Sequence, residues 1–427
     1  MSLRLTPRTR REFLSQTGRG LGLVAFAGFA PSFLVRSALA DAPKAEKDRT
    51  ILVLIQLAGG NDGLNTVIHH DNDHYHNLRP TLALRPSAGL LPIDDTLSLH
   101  PAMGAMHRLL KDGKLTVVQN VGYPNPNRSH FRSTEIWETA SDADRSAYDG
   151  WIGRYLDAEC SGAPTKDPIG IHGGSVLPQT FQAAGNHNIF GLGNGGGGLP
   201  RRGAKSPSGG KEETELLLDL NGALETNSSQ AEATDNGHYL RQAMMDALVT
   251  ETRVAEIIGS YRPSSPYPGT GLGQSLQRIA ALISAGLETR VYYATLGGFD
   301  THANQLGRHA QLLRELSDAM AAFQADLEAK RLDRQVLTMT FSEFGRRPSE
   351  NSTVGTDHGT AAPLFVMHTG LKSPVVGTPP NLAIKPNEDI VFTTDFRQVY
   401  GTVLRNFLKA DPAKIVGPAA QKDLGFI

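Results

Sequence analysis

Residues 51–62 read I-L-V-L-I-Q-L-A-G-G-N-D: an apolar run from Ile51 to Leu57 broken only by Gln56, then Ala58, a Gly59-Gly60 pair, Asn61 and Asp62. A short apolar run bounded by turn residues is the pattern of a strand buried on both faces, as in a parallel sheet. The glycines permit a tight turn. The acid that follows stands where open α/β sheets bind their ligands, beyond the carboxyl ends of the strands.

Four further runs share this pattern: 115–121 (LTVVQNV), 290–296 (RVYYATL), 335–342 (QVLTMTFS) and 363–368 (PLFVMH). Helical stretches separate most of them. From about Asn304 to Lys330, Leu306, Leu313, Leu316, Met320, Phe323 and Leu327 recur at helical spacing and make one stripe to lay on a sheet. Another helix is expected from about Gln274 to Ala285, ended by Gly286. The alternation of helix and strand predicts right-handed crossovers and an α/β fold, a sandwich with a mostly parallel central sheet.

The N-terminus reads as an address. Arg10-Arg11 in T-R-R-E-F-L-S, a weakly apolar stretch from Leu21 to about Leu34 and the small-x-small site Ala38-Leu39-Ala40 form a twin-arginine signal over residues 1–40, placing the mature start near Asp41. The expected partner in export is the twin-arginine translocase, and the expected location is periplasmic or secreted. No run reaches the roughly 18–20 apolar residues of a spanning helix, so no stable membrane span is expected. Without the signal's six arginines and one glutamate, 36 Lys and Arg face 42 Asp and Glu, a net charge of −6 that argues against a nucleic-acid partner. The single cysteine, Cys160, makes no internal disulfide, so stability must come from a core. The expectation is one α/β domain over 47–427, with a flexible Gly/Ser-rich insertion at about 190–237. Within that insertion, 198–206 is a near miss to a phosphate-binding loop, with no strand before it.

Polar residues gather where the runs end. The first is followed by Asn61-Asp62. After the second come Arg128, Ser129 and His130, opening a helix. G-G-F-D-T-H, with Asp300 and His302, follows the third, and the fourth runs into S-E-F-G-R-R, with Ser342, Glu343 and Arg346. T-D-H-G-T, with Asp357 and His358, precedes the fifth. Asp, Glu and His are the ligand set of a hydrolytic divalent metal, zinc foremost, with calcium, magnesium or manganese as alternatives, and one or two ions are expected. A hydroxyl at a helix N-terminus suits a nucleophile. Plain structural roles compete: Asp62 as a turn residue, Asp300 and Ser129 as helix caps, Ser133 and Thr134 as rival hydroxyls. The His69, His70, His74, His76 stretch reads as a solvated loop.

L-A-G-G-N-D-G-L-N, R-S-H-F at 128–131, G-G-F-D-T-H at 297–302, F-S-E-F-G-R at 341–346, D-H-G-T-A at 357–361 and T-D-F-R-Q-V-Y at 394–400, with the twin-arginine signal, together resemble the domain-of-unknown-function 1501 family. That family is similar to a branch of the alkaline phosphatase and sulfatase superfamily, which implies an alkaline phosphatase-like α/β sandwich. The resemblance implies metal ligation by Asp62, Asp300, His302, Glu343 and His358, and a nucleophile at or near Ser129. His130, Arg128 and Arg346 complete the catalytic set, the arginines steadying the equatorial oxygens. The chain has D-T-H in place of D-x-x-x-H, no His beside Glu343, and no C-x-P-x-R or S-x-P-x-R to mature into formylglycine. The expected function is an exported metal-dependent hydrolase of phosphate or sulfate esters, acting on a small-molecule or carbohydrate ester. The alternative is a non-catalytic exported binding protein on the same fold.

Overall fold

The computed structural model describes residues 49–160, 167–174, 176–193, 250–385 and 387–427. The signal, the near phosphate loop and most of the insertion lie outside the described residues, although Phe190 and Gly191 belong to a strand. Two compact units divide the chain. One, 47–163, 167–197 and 257–427, carries everything that follows; of the other, only 250–256 are described.

The strands are β1 (Ile51–Ala58), β2 (Val67–His69), β3 (Leu91–Pro92), β4 (Leu97–Leu99), β5 (Leu115–Gly122), β6 (Gly170–His172), β7 (Ile189–Gly191), β8 (Val291–Gly297), β9 (Val336–Phe341), β10 (Ala362–Met367), β11 (Val375–Val376) and β12 (Thr394–Asp395). All five apolar runs are strands. They form the middle of one sheet ordered β11-β5-β10-β9-β1-β8-β6-β7, with β12 pairing β5, while β2-β4-β3 make a small second sheet. Ile51 to Ile55 are buried completely or nearly so, because β1 is covered on both faces and paired in parallel with β8 and β9 on its two edges.

One strand departs from the expected direction. β10 runs antiparallel to both β9 and β5. Its entry, rather than its exit, therefore lies at the edge where β1, β8 and β9 end, which brings the residues before Ala362 to the same edge as Asp300 and Glu343. Beside it, Asn120 of β5 adopts a left-handed conformation where the β5–β10 register shifts.

The helices among the described residues include α1 (Asp73–Leu78), α2 (Gly104–Lys111), α3 (His130–Thr139), α4 (Trp151–Glu159), α5 (Gly271–Ser284), α6 (Gln305–Ala329), α7 (Phe396–Val403) and α8 (Pro412–Ile415). On one face of the sheet, Leu52, Leu54, Tyr293, Met339 and Leu364 pack with Ile136 and Trp137 of α3, Ile152 and Tyr155 of α4, and Phe396 and Tyr400 of α7. Trp137 stacks on Phe396, ring centroids 4.4 Å apart, and Trp151 on Tyr400 at 4.3 Å. On the other face α5 lies against β8 and α2 against β5, with α6 packed on both helices. The α6 stripe is buried as expected except at Leu306, near the helix start, which is partly exposed. The result is the expected α/β sandwich with a mostly parallel central sheet. No helix among the described residues is long and apolar enough to cross a membrane.

Candidate metal centre

The site begins at the exit of β1. Gly59 and Gly60 have φ of +117° and +82°, and a Cβ on Gly59 would collide with the backbone nitrogen of Asp300 and stand 2.9 Å from the Phe299 carbonyl carbon. Only glycine lets the exits of β1 and β8 touch in this way. The Gly59 N–H then donates to Glu343 Oε1 at 2.8 Å, tying the exit of β9 to the other two.

The loops 342–347 and 357–361 pair across the edge. Arg346 and His358 form an antiparallel bridge, with Arg347 N–H to Asp357 O at 2.9 Å and Gly359 N–H to Gly345 O at 2.8 Å. This is how a segment entering β10 sets His358 beside residues leaving β8 and β9.

Three imidazoles converge there in the same manner. His130 Nδ1 faces Glu343 Oε1 at 2.9 Å, His302 Nδ1 faces Asp357 Oδ1 at 3.4 Å, and His358 Nδ1 faces the Arg128 carbonyl at 2.9 Å. With an oxygen beside each Nδ1, the tautomer protonated there presents its Nε2 lone pair to the centre. The three Nε2 atoms all turn towards Asp300. Those of His302 and His358 each lie 3.0 Å from Asp300 Oδ1 and 3.0 Å from one another, and that of His130 lies 3.5 Å from Asp300 Oδ2. Candidate ligand atoms of His130, Asp300 and His358 all lie within 4.8 Å of each other.

Lone pairs facing one another and a carboxylate repel unless a cation lies among them, so the donor set fits a metal ion. Zn–N and Zn–O bonds of about 2.0–2.1 Å in a tetrahedron imply ligand separations of about 3.3 Å; each of the three rings lies 3.0–3.5 Å from Asp300, while His302 stands outside the group of His130, Asp300 and His358 whose ligand atoms are all within 4.8 Å of one another. Oxygens holding the far ring nitrogens are the usual support for metal-binding histidines.

Asp300 does not cap the helix behind it; the N-cap of α6 is Asn304. Burial pushes its carboxyl up, but the hydrogen bond and charge of Arg346, with the facing His358 and His302 rings, outweigh this and bring it down to about 2. It therefore stays an anion across the range in which a metal would bind.

Three of the expected residues are engaged elsewhere. Arg346 is almost fully buried, and its guanidinium is directed to the carbonyls of Gly59, Gly60, Phe299 and Thr356 and to Asp300 Oδ1 at 2.7 Å. Turned inward, it is not placed to clamp a substrate and instead holds Asp300. Glu343 spends Oε1 on Gly59 N–H and the His130 ring, while its buried Oε2 has no partner. It orients His130 and lies outside the convergent set, which gains His130 in its place.

Asp62 also lies outside that set. Its carboxylate is fully buried, with Oδ2 accepting from Arg79 Nη1 at 2.6 Å and from Gln305 Nε2. Full burial raises its pKa, but the Arg79 charge and hydrogen bond pull it below the ordinary carboxylate range. Arg79, just after α1, is the residue that sequence reading missed; no spacing marks it. The His-rich stretch before it is not the expected solvated loop: His69 ends β2 and is buried, His74 and His76 lie in α1, and His70 Nε2 and His76 Nε2 face the carbonyls of Asp95 and His70.

Of the hydroxyls, Ser133 is buried, donating to the Glu343 carbonyl and lying 2.7 Å from Tyr123 OH. Ser129 is exposed at the N-cap of α3, and its side chain makes no capping bond. Arg128 next to it is half-exposed and paired with Asp389 at 2.5 Å.

Residues 49–425 match the family model described as "Protein of unknown function (DUF1501)". Among solved structures the chain is similar to a protein in the alkaline phosphatase superfamily from Vibrio parahaemolyticus, at 12% identity over 88% of this chain and 71% of that one, TM-score 0.37. It is also similar to PsFucS1 sulfatase from Pseudoalteromonas sp., at 11% identity over 98% and 77% of the two chains, TM-score 0.38. A third is the alkaline phosphatase from the Antarctic bacterium TAB5, at 11% identity over 75% and 92%, TM-score 0.31. No curated protein matches the sequence.

Proposed function

The chain belongs to the DUF1501 family, and we propose that it is an exported, metal-dependent hydrolase of phosphate or sulfate esters. The observation that carries this reading is the convergence of three Nε2 atoms, each with its Nδ1 held by an oxygen, on the Asp300 carboxylate. Three imidazoles and one carboxylate favour zinc over calcium or magnesium, which take oxygen ligands. His130, Asp300, His302 and His358 would hold the ion. When bound, it supplies Lewis-acid polarisation of the ester and neutralises charge developing there.

The protein's own groups supply the rest. Ser129 Oγ would bond to phosphorus or sulfur as the bond to the ester oxygen breaks, the serine proton passing to that oxygen so that it leaves as the alcohol, and water would then hydrolyse the serine ester and restore the hydroxyl. The N-terminus of α3 favours the developing anion. Arg128, exchanging Asp389 for the substrate, offers bidentate hydrogen bonds to its equatorial oxygens. Glu343 and Arg346 keep His130 and Asp300 in place. Arg10-Arg11 and the cleavage site at 38–40 support delivery by the twin-arginine translocase.

The second reading, a binding protein without turnover, is favoured by the burial of Arg346, which leaves Arg128 to meet the substrate anion. Zinc quantification combined with aryl phosphate and aryl sulfate hydrolysis separates the two. The hydrolase predicts bound zinc and turnover that Ser129→Ala abolishes without loss of metal. Bound zinc with no turnover on either ester class supports the binding protein.

A further inference from the structure

We propose that this centre takes one divalent ion and no second, because the buried Arg79 guanidinium is a permanent cation standing against Asp62. The inference rests on the reading of His130, Asp300, His302 and His358 as the metal-holding set.

Both side chains of the pair are fully excluded from solvent. Arg79 Nη1 donates to Asp62 Oδ2 at 2.6 Å and to Asn65 Oδ1 at 2.8 Å, Nε to the Pro348 carbonyl at 2.7 Å, and Nη2 to the Arg347 carbonyl at 2.9 Å. The guanidinium is thus tied to the exit of β1 and to the loop after β9 together. It cannot withdraw without leaving a bare carboxylate in a dry interior.

Asp62 Oδ2 is spent on Arg79 and Gln305, which leaves Oδ1 as its one atom without a partner. An ion at Oδ1 would lie beside the Arg79 charge with no water between them, where like charges repel most strongly. The nearby imidazoles do not turn to that atom: His309 Nε2 is 3.0 Å from Asn61 Oδ1, and His100 Nδ1 accepts from Ala102 N–H at 3.0 Å. Among the described residues the acid and imidazole atoms that gather closely enough to share an ion are those of His130, Asp300 and His358, and Asp62 is not with them. The covalently supplied charge at Asp62 also means that this side of the sheet edge keeps its neutral pair when the ion is stripped.

The test is elemental analysis and zinc titration calorimetry on the chelator-treated, reloaded protein. Wild type is expected to hold one zinc per chain in a single binding transition, Asp62→Asn to hold one, and Asp300→Asn and His358→Ala to hold none. Should Asp62→Asn not fold, Asp62→Asn/Arg79→Gln, which replaces the ion pair by two amides, is also expected to hold one. Two zinc ions per wild-type chain, or loss of zinc on changing Asp62 in either background, would overturn the inference. A wild type that binds no zinc would overturn the metal-centre reading itself, and the inference with it.

Discussion

Replacing Gly59 by alanine is expected to damage both the fold and the metal centre, by an amount that follows from local geometry. At φ +117° an L-residue is strained by about 1–3 kcal/mol. The added methyl also has no room: it would lie 2.9 Å from the Phe299 carbonyl carbon and meet the Asp300 nitrogen, and such overpacking costs about 1–3 kcal/mol. The total, about 2–6 kcal/mol, is a large share of the roughly 5–15 kcal/mol that keeps a domain folded. At about 2.1 cal/mol/K of unfolding entropy per residue, a domain of this length shifts by about 1 °C per kcal/mol, so the melting temperature should fall by at least about 2 °C. The segment pushed aside carries Asp300, so zinc affinity, measured by competition with a chelator, should fall about 10–100-fold, as when a supporting shell is disturbed. Gly89→Ala is the control: φ is +78° there, with nothing within 4 Å of an added Cβ, so it isolates the backbone strain. A Gly59→Ala protein that melts within about 1 °C of wild type and binds zinc equally well would refute the reasoning.

Arg79→Ala strands the buried Asp62 carboxylate and should destabilise by about 3–5 kcal/mol in denaturant titrations, while Asp62→Asn/Arg79→Gln should recover much of that loss. Glu138, buried at the end of α3 with Tyr293 OH at 2.9 Å and Gln179 N–H at 2.8 Å, has its pKa raised by burial. A raised carboxyl contributes stability below its unfolded value near 4.3 and loses it as pH rises through the folded value. Glu138→Gln should therefore flatten the decline in stability above about pH 4.3, seen as melting temperature against pH. Chelation should lower the wild-type melting temperature, since an ion at 100 times its Kd stabilises by about 2.7 kcal/mol, and should leave His358→Ala unmoved.

The central strands and the two longest expected helices were legible because each has a period or an unbroken apolar run longer than its neighbours' turns. β6, β7, β11 and β12, of two or three residues each, carry no such pattern. The direction of β10 was also hidden: a strand buried on both faces reads the same whichever way it runs. At the site, the segments could be found from their polar residues, but not the division of labour within them. Glu343 meets the His130 ring with the oxygen that the Gly59 N–H fixes from behind, and Arg346 turns inward because four carbonyls await it. Those contacts span separations such as 284 residues between Gly59 and Glu343, beyond the reach of any local spacing rule.

The place of β1 in the sheet bears on how the chain must assemble. Leu52 pairs with Val291 on one side and Leu337 on the other, so the earliest apolar run waits for partners 239 and 285 residues further along. At about 5–20 residues per second of synthesis, that wait is roughly 10–60 s. Through that interval I-L-V-L-I has two open edges, little charge and no proline, the character of a segment that pairs with copies of itself. The strand at the centre of the finished sheet is thus the one that is made first and keeps both edges open until β8 and β9 arrive.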